Sequence, residues 1–287
     1  MVLIHDVHIH VSKFSELNNL SLTFMSNNPV FVEHRRRLET DPKYLVNILD
    51  GEDVGKAVLI NYVAPDTLGF TRDVNRFASE YCREFPDRLV PFGSIHPRFS
   101  QNPKAELEEL YSKFEIKGIK LHPVHQLVYP NQYLEEFGPL RLKSLEILYD
   151  FCQQNNLPVT VHTGSSMFPT ARNKYGDPLF LDDVAVDFPR LKIIMAHGGR
   201  PFWMQKAFFI LRRHPNVYLD ISGIPPKRLL DYFPRLEEIY EKTIFGSDWP
   251  SPGVKRISEN AKQIVNLPIS TEAKEAILRN NFSKLGL

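Results

Sequence analysis

The sequence predicts an α/β protein folded as a (β/α)8 TIM barrel with an extra C-terminal helix. Three observations favour this fold class. Eight short β-rich runs alternate with eight longer amphipathic stretches, and such a barrel typically needs about 250 residues. No GxGxxG motif follows the first strand and no GxxxxGK[ST] motif occurs, which disfavours an open doubly wound sheet. No Gly/Ser-rich linker divides the chain, so we expect one domain over residues 1–287.

The predicted strands and helices follow one another in strict alternation. The strands are Val2–Val11, Lys56–Val63, Leu89–His96, Gly118–His122, Pro158–Gly164, Lys192–His197, Val217–Ser222 and Thr243–Ser247. The helices carry apolar residues at three- and four-residue intervals. They are Pro42–Glu52, Arg72–Glu84, Pro103–Phe114, Pro139–Asn155, Leu179–Asp187, Phe202–Arg213, Pro226–Tyr240 and Lys255–Val265. The extra helix is predicted over Thr271–Ser283, packed outside the eight units.

Two long insertions follow predicted strands, Ser12–Asp41 after the first and His125–Phe137 after the fourth. Loops that follow barrel strands lie on the face where TIM-barrel active sites are built. We therefore expect both insertions to shape a substrate pocket.

Composition restricts the classes of partner. The chain has 35 Lys+Arg against 34 Asp+Glu, a balance that disfavours a nucleic-acid-binding protein. No apolar run approaches the roughly 18 residues of a membrane span, and the first residues lack the pattern of a secretion signal. We therefore expect a cytoplasmic protein that binds a small-molecule substrate. Cys82 and Cys152 stand far apart in helix-like stretches and predict buried free thiols.

Histidines gather at the predicted C-terminal ends of the strands. His8 and His10 alternate on the first strand, so their side chains point the same way and form a natural chelating pair. Asp248 follows the eighth strand, which neighbours the first in a barrel, and His162 lies at the end of the fifth. Three imidazoles and one carboxylate suit Zn²⁺ or another borderline divalent ion, with room for water. His197, from the sixth strand, projects to the same rim.

Each of these residues alone has a structural alternative. A strand histidine often donates to a nearby carbonyl or carboxylate, and an aspartate before Trp-Pro is often a turn or cap residue. The ordered set on strands one, five, six and eight is much less expected by chance. Together these residues indicate a functional site.

Six segments resemble the amidohydrolase superfamily, in the branch that includes aminocarboxymuconate-semialdehyde decarboxylase. They are Asp6–His10, Gly118–Pro123, Pro158–Gly164, Ile194–Gly199, Tyr218–Ser222 and Phe245–Pro250. The resemblance implies a distorted TIM barrel. It also implies that one divalent metal, usually zinc with Mn²⁺ as an alternative, is held by His8, His10, His162 and Asp248. Dimers are frequent among such proteins, which makes a homodimer an assembly to test for.

The resemblance places His197 beside a metal-bound water, and the residue chemistry agrees. A divalent cation lowers the pKa of a bound water from 15.7 to about 7. Asp248 would take the proton of this water and deliver it to the leaving group. His197 would orient the water or stabilise developing negative charge. In decarboxylases of the branch, the corresponding histidine instead resembles a base that activates water and guides protonation.

Four further residues are predicted to contact substrate, namely Lys120, His122, Arg200 and Trp249. Alternatives stay open for each of them. Lys120 could be carboxylated and hold a second metal, as in other members of the superfamily, or pair with a carboxylate such as Asp6. His122 could bond to backbone, Arg200 could cap a helix, and Trp249 could belong to the core.

Three functions fit these observations. The favoured one is a metal-dependent hydrolase of an amide, ester or lactone bond in a small, carboxylated substrate, because the metal, water and aspartate need no additional machinery. The second is a nonoxidative carboxy-lyase of an aromatic or unsaturated acid. An arginine from Arg35–Arg37 placed over the metal would favour it, whereas the alternative for these arginines is a solvated helix face. The third is a barrel that has lost its chemistry and serves as a binding protein.

Overall fold

Eight parallel strands form one sheet in which each strand pairs with its successor along the chain. The computed structural model describes residues 3–287, so the predicted strand residue Val2 lies outside the described residues. The strands are β1 Ile4–Ile9, β2 Val54–Leu59, β3 Leu89–Gly93, β4 Gly118–Leu121, β5 Val159–His162, β6 Ile193–Ala196, β7 Val217–Asp220 and β8 Thr243–Ile244. The predicted TIM barrel is confirmed.

Backbone hydrogen bonds close the barrel between its first and last strands. β8 is short, but the chain beyond it continues along β1. The amide of Asp248 donates to His8 O at 2.8 Å, and the amide of His10 donates to Trp249 O at 2.8 Å. Ile9 and Trp249 form a parallel bridge at the same place. We call this junction the β1–β8 seam.

Helices surround the strands. They are α1 Asn19–Met25, α2 Pro29–Thr40, α3 Pro42–Gly51, α4 Asp73–Arg83, α5 Pro103–Ser112, α6 Pro123–Gln126, α7 Lys143–Gln154, α8 Phe180–Asp187, α9 Met204–Arg213, α10 Leu229–Tyr232, α11 Ile257–Val265 and α12 Thr271–Leu278. The insertion Ser12–Asp41 contains two of these helices, α1 and α2. Asn18 and Asn28 cap their N-termini by accepting backbone hydrogen bonds.

The predicted helix Pro226–Tyr240 is wrong in its extent. α10 ends at Tyr232, and only short 3-10 turns follow it before β8. Pro234 explains the break, because proline lacks an amide hydrogen and disfavours helical backbone in the residue before it. The extra C-terminal helix is confirmed as α12, but it ends at Leu278 rather than Ser283.

Strand side chains divide between two apolar clusters. Outward residues such as Leu121 and Val161 belong to the main core beneath the helices. Inward residues such as Val90 and Ile244 pack in a second cluster with Phe282. The turn after α12 therefore packs against inward-facing strand residues, whereas the sequence predicted a segment packed outside the units.

Two further expectations concern the described residues. Cys82 and Cys152 are buried and unpaired with each other, as predicted, and burial raises the pKa of both thiols. Within residues 3–287, no helix is both long enough and apolar enough to cross a membrane.

Candidate metal centre

His8 lies at the middle of a polar cluster, fully buried in β1. Its Nδ1 lies 2.5 Å from Asp220 Oδ2, and an ionised carboxylate only accepts hydrogen bonds. Burial alone would raise the pKa of Asp220, but the interaction with His8 outweighs burial and lowers the pKa. His8 Nδ1 therefore carries the proton, and Nε2 presents a lone pair, as in metal-ligating histidines.

His10 is oriented in the same manner by a backbone group. Its Nδ1 lies 3.2 Å from Ile60 O, and a carbonyl oxygen can only accept. Nδ1 is therefore the donor, and Nε2 is left with a free lone pair. This Nε2 lies 3.0 Å from Asp248 Oδ1. The His10 side chain is 26% exposed, so this side of the cluster faces the barrel mouth.

Three donor atoms form a triangle of the size that a single cation requires. His8 Nε2 and His10 Nε2 are 3.2 Å apart, and Asp248 Oδ1 lies 3.5 Å from the first and 3.0 Å from the second. Two nitrogen lone pairs that face each other repel unless a positive charge lies between them. Nitrogen and oxygen ligands about 2.0–2.2 Å from one ion are about 3.0–3.5 Å from one another. The residues present therefore fit a divalent cation.

Asp248 is an ionised carboxylate held in an uncommon backbone conformation. Burial would raise its pKa, but the neighbouring imidazoles of His10, His197 and His8 outweigh burial and hold the pKa well below its usual range. Asp248 and His197 both have a φ of 66°, which is uncommon for residues other than glycine. Such conformations cluster at functional sites.

His197 adjoins the triangle. One ligand atom from each of His197, His8 and Asp248 lies within 4.8 Å of the other two. His197 Nδ1 lies 2.8 Å from Ser222 O, so Nδ1 carries the proton and Nε2 is a base. Burial lowers the pKa of His197 to about 3, against the opposing effect of Asp248, so the ring is neutral at pH 7.

His162, the fourth predicted ligand, ends β5 beside His197, with ring centroids 4.7 Å apart. In the described part of the chain its buried Nε2 has no hydrogen-bond partner. An unsatisfied buried polar atom costs about 1–3 kcal/mol, a cost that a bound cation would remove. No hydrogen bond joins His162 to the triangle among residues 3–287, so its place in the ligand set stays a prediction.

Lys120 is fully buried on β4. The pairing with Asp6 does not form, because within the described chain Lys120 Nζ has no hydrogen-bond partner. Asp6 Oδ1 instead accepts the amides of His8 at 2.9 Å and Ser247 at 3.0 Å. Burial lowers the pKa of Lys120 to about 8, against the opposing effect of nearby carboxylates, so the amine is mostly protonated at pH 7.

His122 lies in a stack of rings next to the cluster. Its centroid is 3.9 Å from that of His162 and 3.7 Å from that of His125. His125, to which the sequence analysis gives no role, is held by Tyr62 Oη at 3.0 Å and Ser166 Oγ at 2.7 Å. The stack fixes the wall of the site beside β4 and β5.

Arg200 and Trp249 occupy different environments. Arg200 lies over Gly223, where an added Cβ would come within 3.0 Å of Arg200 Nη2 and 2.9 Å of His197 Nδ1. A half-buried guanidinium thus lies next to His197, and its contact with substrate stays a prediction. The Trp249 side chain is only 2% exposed and belongs to the main core, and its contact with substrate likewise stays a prediction.

The main residue that the sequence analysis misses is Asp220. It ends β7, within the segment Tyr218–Ser222 that carries part of the family resemblance. A charged residue at the end of an otherwise apolar strand is the signal that could have identified it.

The family profile for the amidohydrolases matches residues 6–285. The chain belongs to the amidohydrolase family. No curated protein sequence matches this amidohydrolase.

Solved structures resemble it over nearly their whole length. An uncharacterised TIM-barrel protein from Bordetella bronchiseptica is 22% identical with a TM-score of 0.76, covering 98% of this chain and 97% of its own. A dihydroxybenzoic acid decarboxylase from Polaromonas sp. JS666, with bound manganese and the inhibitor 2-nitroresorcinol, is 19% identical with a TM-score of 0.68, covering 99% and 97%. A probable 2-pyrone-4,6-dicarboxylic acid hydrolase from Acinetobacter baumannii, with citric acid bound, is 18% identical with a TM-score of 0.66, covering 100% of both chains. At these identities the likeness shows the shared fold.

Proposed function

We propose that this amidohydrolase is a metal-dependent hydrolase of an amide, ester or lactone bond in a small, carboxylated substrate. The observation that carries the proposal is the triangle of His8 Nε2, His10 Nε2 and Asp248 Oδ1, with edges of 3.2, 3.0 and 3.5 Å. His162, with its unpartnered buried Nε2, would complete the ligand set.

Zn²⁺ is the ion we favour, because three imidazoles and one carboxylate suit a borderline cation. Mn²⁺ is the alternative, since the similar Polaromonas decarboxylase contains manganese. When bound, the ion would supply a water of lowered pKa and would polarise the bond under attack.

The protein's own groups divide the proton transfers. The Asp248 carboxylate stays ionised at neutral pH, so it can accept the proton of the attacking water and then deliver it to the leaving atom. His197 Nε2 is unprotonated, because Nδ1 donates to Ser222 O. This tautomer supports the role in which His197 orients the water as a hydrogen-bond acceptor, rather than donating to a developing oxyanion.

Two cations support a carboxylated substrate. Arg200 lies next to His197, and its Nε is buried without a hydrogen-bond partner among residues 3–287. The Lys120 amine is likewise buried without a hydrogen-bond partner in this part of the chain. Guanidinium and ammonium groups are the usual partners of carboxylates.

A nonoxidative carboxy-lyase is the second candidate, and the likeness to the Polaromonas decarboxylase is the observation that favours it. The contacts of two of the three α2 arginines lend this candidate no support. The guanidinium of Arg37 lies 3.8 Å from the centroid of the Tyr44 ring, and that of Arg35 lies 5.8 Å from the Phe31 ring. Both guanidinium groups contact aromatic rings, whereas the decarboxylase hypothesis requires an arginine over the metal.

The metal centre is tested by elemental analysis of the purified protein and of His8→Ala and Asp248→Ala variants. We expect about one metal ion per chain in the wild type and loss of the metal in both variants. His5→Gln is the matched control, because His5 lies on the same strand but bonds the Lys56 amide outside the cluster. Retention of the metal by both alanine variants would refute the ligand assignment.

The reaction is tested by incubating the metal-loaded enzyme with lactones, amides, esters and hydroxybenzoic acids. Proton release and CO₂ are followed in the same samples. We expect proton release from a lactone or an ester, or free amine from an amide, with no CO₂ from any acid. CO₂ from a hydroxybenzoic acid without hydrolysis of the other compounds would assign the carboxy-lyase instead.

A further inference from the structure

Three buried polar atoms on the inner wall of the barrel have no partner, and the proposed metal ligands do not include them. They are Lys120 Nζ and His122 Nδ1 beside β4, and Thr160 Oγ1 on β5, none of which has a hydrogen-bond partner within residues 3–287. Lys120 and Thr160 are direct partners in the β4–β5 ladder. Their side chains therefore stand side by side on the same face, about 4.8 Å apart at the backbone.

His122 directly follows β4, and its ring stacks on that of His162 with centroids 3.9 Å apart. His162 lies two residues after Thr160 on β5, so the two side chains share a face of the sheet and His122 lies beside it. The two-residue rise from Lys120 to His122 is about 6.6 Å, a length that an extended lysine stem spans. The ammonium, the hydroxyl and the ring nitrogen can therefore serve one ligand.

The chemistry of these three groups indicates which kind of ligand atom would satisfy them. A protonated amine has three hydrogens to donate and no lone pair, so it cannot coordinate a cation. The hydroxyl of Thr160 and the ring N–H of His122 can donate too. A buried donor without an acceptor is costly, and the acceptor that satisfies an ammonium best is an anion.

The charges of the site indicate the same ligand. Asp220 and Asp248 each carry a negative charge near the Lys120 amine, and they oppose the effect of burial on it. A divalent cation at the proposed metal centre would neutralise these two carboxylates. Lys120 would then keep its positive charge only beside another anion, so a bound carboxylate and the ammonium form would stabilise each other.

We propose that Lys120, Thr160 and His122 form a buried carboxylate-binding subsite beside the metal centre. One carboxylate group of the substrate accepts from the ammonium, the hydroxyl and the ring N–H, which directs the bond to be cleaved toward Asp248 and His197. This inference rests on the proposed function for the identity of the ligand, and it specifies which residues recognise the acid group.

The test measures the binding of acetate to the metal-loaded enzyme by isothermal titration calorimetry, with acetamide as the neutral probe of the same shape. We expect acetate to bind at least tenfold more tightly than acetamide. Lys120→Met should weaken acetate binding at least tenfold, and Thr160→Val should weaken it severalfold. Lys117→Met is the matched control, because this lysine is exposed just before β4, and it should leave acetate binding unchanged.

A second readout separates recognition from a structural role. Without acetate, metal-loaded Lys120→Met should unfold at the same or a higher temperature than the wild type, because it lacks an uncompensated buried charge. A lower unfolding temperature would show that Lys120 stabilises the fold and would overturn the subsite. If Lys120→Met does not fold, the proposal is likewise overturned unless Thr160→Val folds and weakens acetate binding.

Three further outcomes distinguish the alternatives. A carbamate signal from Lys120 after growth with ¹³C-bicarbonate would overturn the subsite, because the amine would then be modified. Elemental analysis is independent of acetate binding. A metal-loaded protein that does not distinguish acetate from acetamide refutes the subsite and leaves the hydrolase proposal standing. Acetate binding that depends on Lys120 in a protein that retains no metal supports the subsite and refutes the metal centre.

Discussion

Substitution of Asp220 by asparagine should weaken metal binding without removing any ligand. Asp220 Oδ1 accepts the Ser222 amide at 2.8 Å, while Oδ2 lies 2.5 Å from His8 Nδ1. An asparagine that keeps the first bond must place its NH₂ group against His8. The amide would then donate to Nδ1, the ring proton would move to Nε2, and the lone pair that faces the cation would be lost.

The expected size of the effect follows from the position of Asp220 behind a ligand. Removal of such a partner typically lowers metal affinity 10- to 100-fold, which corresponds to about 1.4–2.8 kcal/mol. We expect Asp220→Asn within this range, measured by competition with a chromogenic chelator. Long-range ¹H–¹⁵N NMR of the histidine rings should show the change of tautomer at His8.

A matched control exists on the outside of the barrel. Asp182 Oδ1 lies 2.7 Å from His214 Nε2, so this pair has the same chemistry at a distance from the cluster. Asp182→Asn should bind metal as the wild type does. If Asp220→Asn also kept the wild-type affinity, the tautomer assigned to His8 would be wrong.

Four further substitutions test the surroundings of the site and the stability of the fold. In Gly246→Ala the new Cβ would lie 2.3 Å from Asp220 Oδ1, so metal content should fall. Gly51→Ala, which meets nothing within 4 Å, should keep its metal and gain about 0.5–1 kcal/mol in free energy of unfolding. Burial would raise the pKa of Glu52, but hydrogen bonds from a serine and an arginine outweigh it and lower the pKa. The wild type should therefore have a higher free energy of unfolding than Glu52→Gln above pH 4.5, and the difference should vanish as the pH falls through the folded-state pKa. Urea titrations at each pH measure this difference. An advantage that persists in acid would contradict this assignment. Phe282→Ala truncates a side chain that is only 2% exposed and should lower the free energy of unfolding in urea by about 3–5 kcal/mol. A loss below about 1 kcal/mol would show that the turn after α12 does not stabilise the inner cluster.

The fold could be predicted from the sequence because its eight repeats each carry a local signal. Period-two and helical apolar patterns fix the kind of each element, and their alternation fixes the topology. The ends of the elements are less predictable. β8 has two residues where the sequence predicted Thr243–Ser247, since the later residues leave the ladder to form the seam with β1. The break in the helix Pro226–Tyr240 was accessible from Pro234, which the apolar pattern outweighed.

The candidate site was accessible only in part. His8, His10 and Asp248 could be brought together from the sequence, because strand ends of a barrel meet on one face. The role of Asp220 depends on a contact with His8 across 212 positions, which no local pattern contains. Thr160 enters the proposed subsite because it pairs with Lys120 in the sheet, and the register of two strands is set only in the folded protein.

The β1–β8 seam links assembly of the protein to its chemistry. The backbone groups of His8, His10 and Asp248 join the first and last strands, and the side chains of the same residues converge on the proposed cation. An ion bound there would link β1 to the segment after β8, and thus join two parts of the barrel that lie far apart in the sequence. Metal binding would then require a closed barrel. Removal of the metal by a chelator should destabilise the β1–β8 seam before any other part of the molecule.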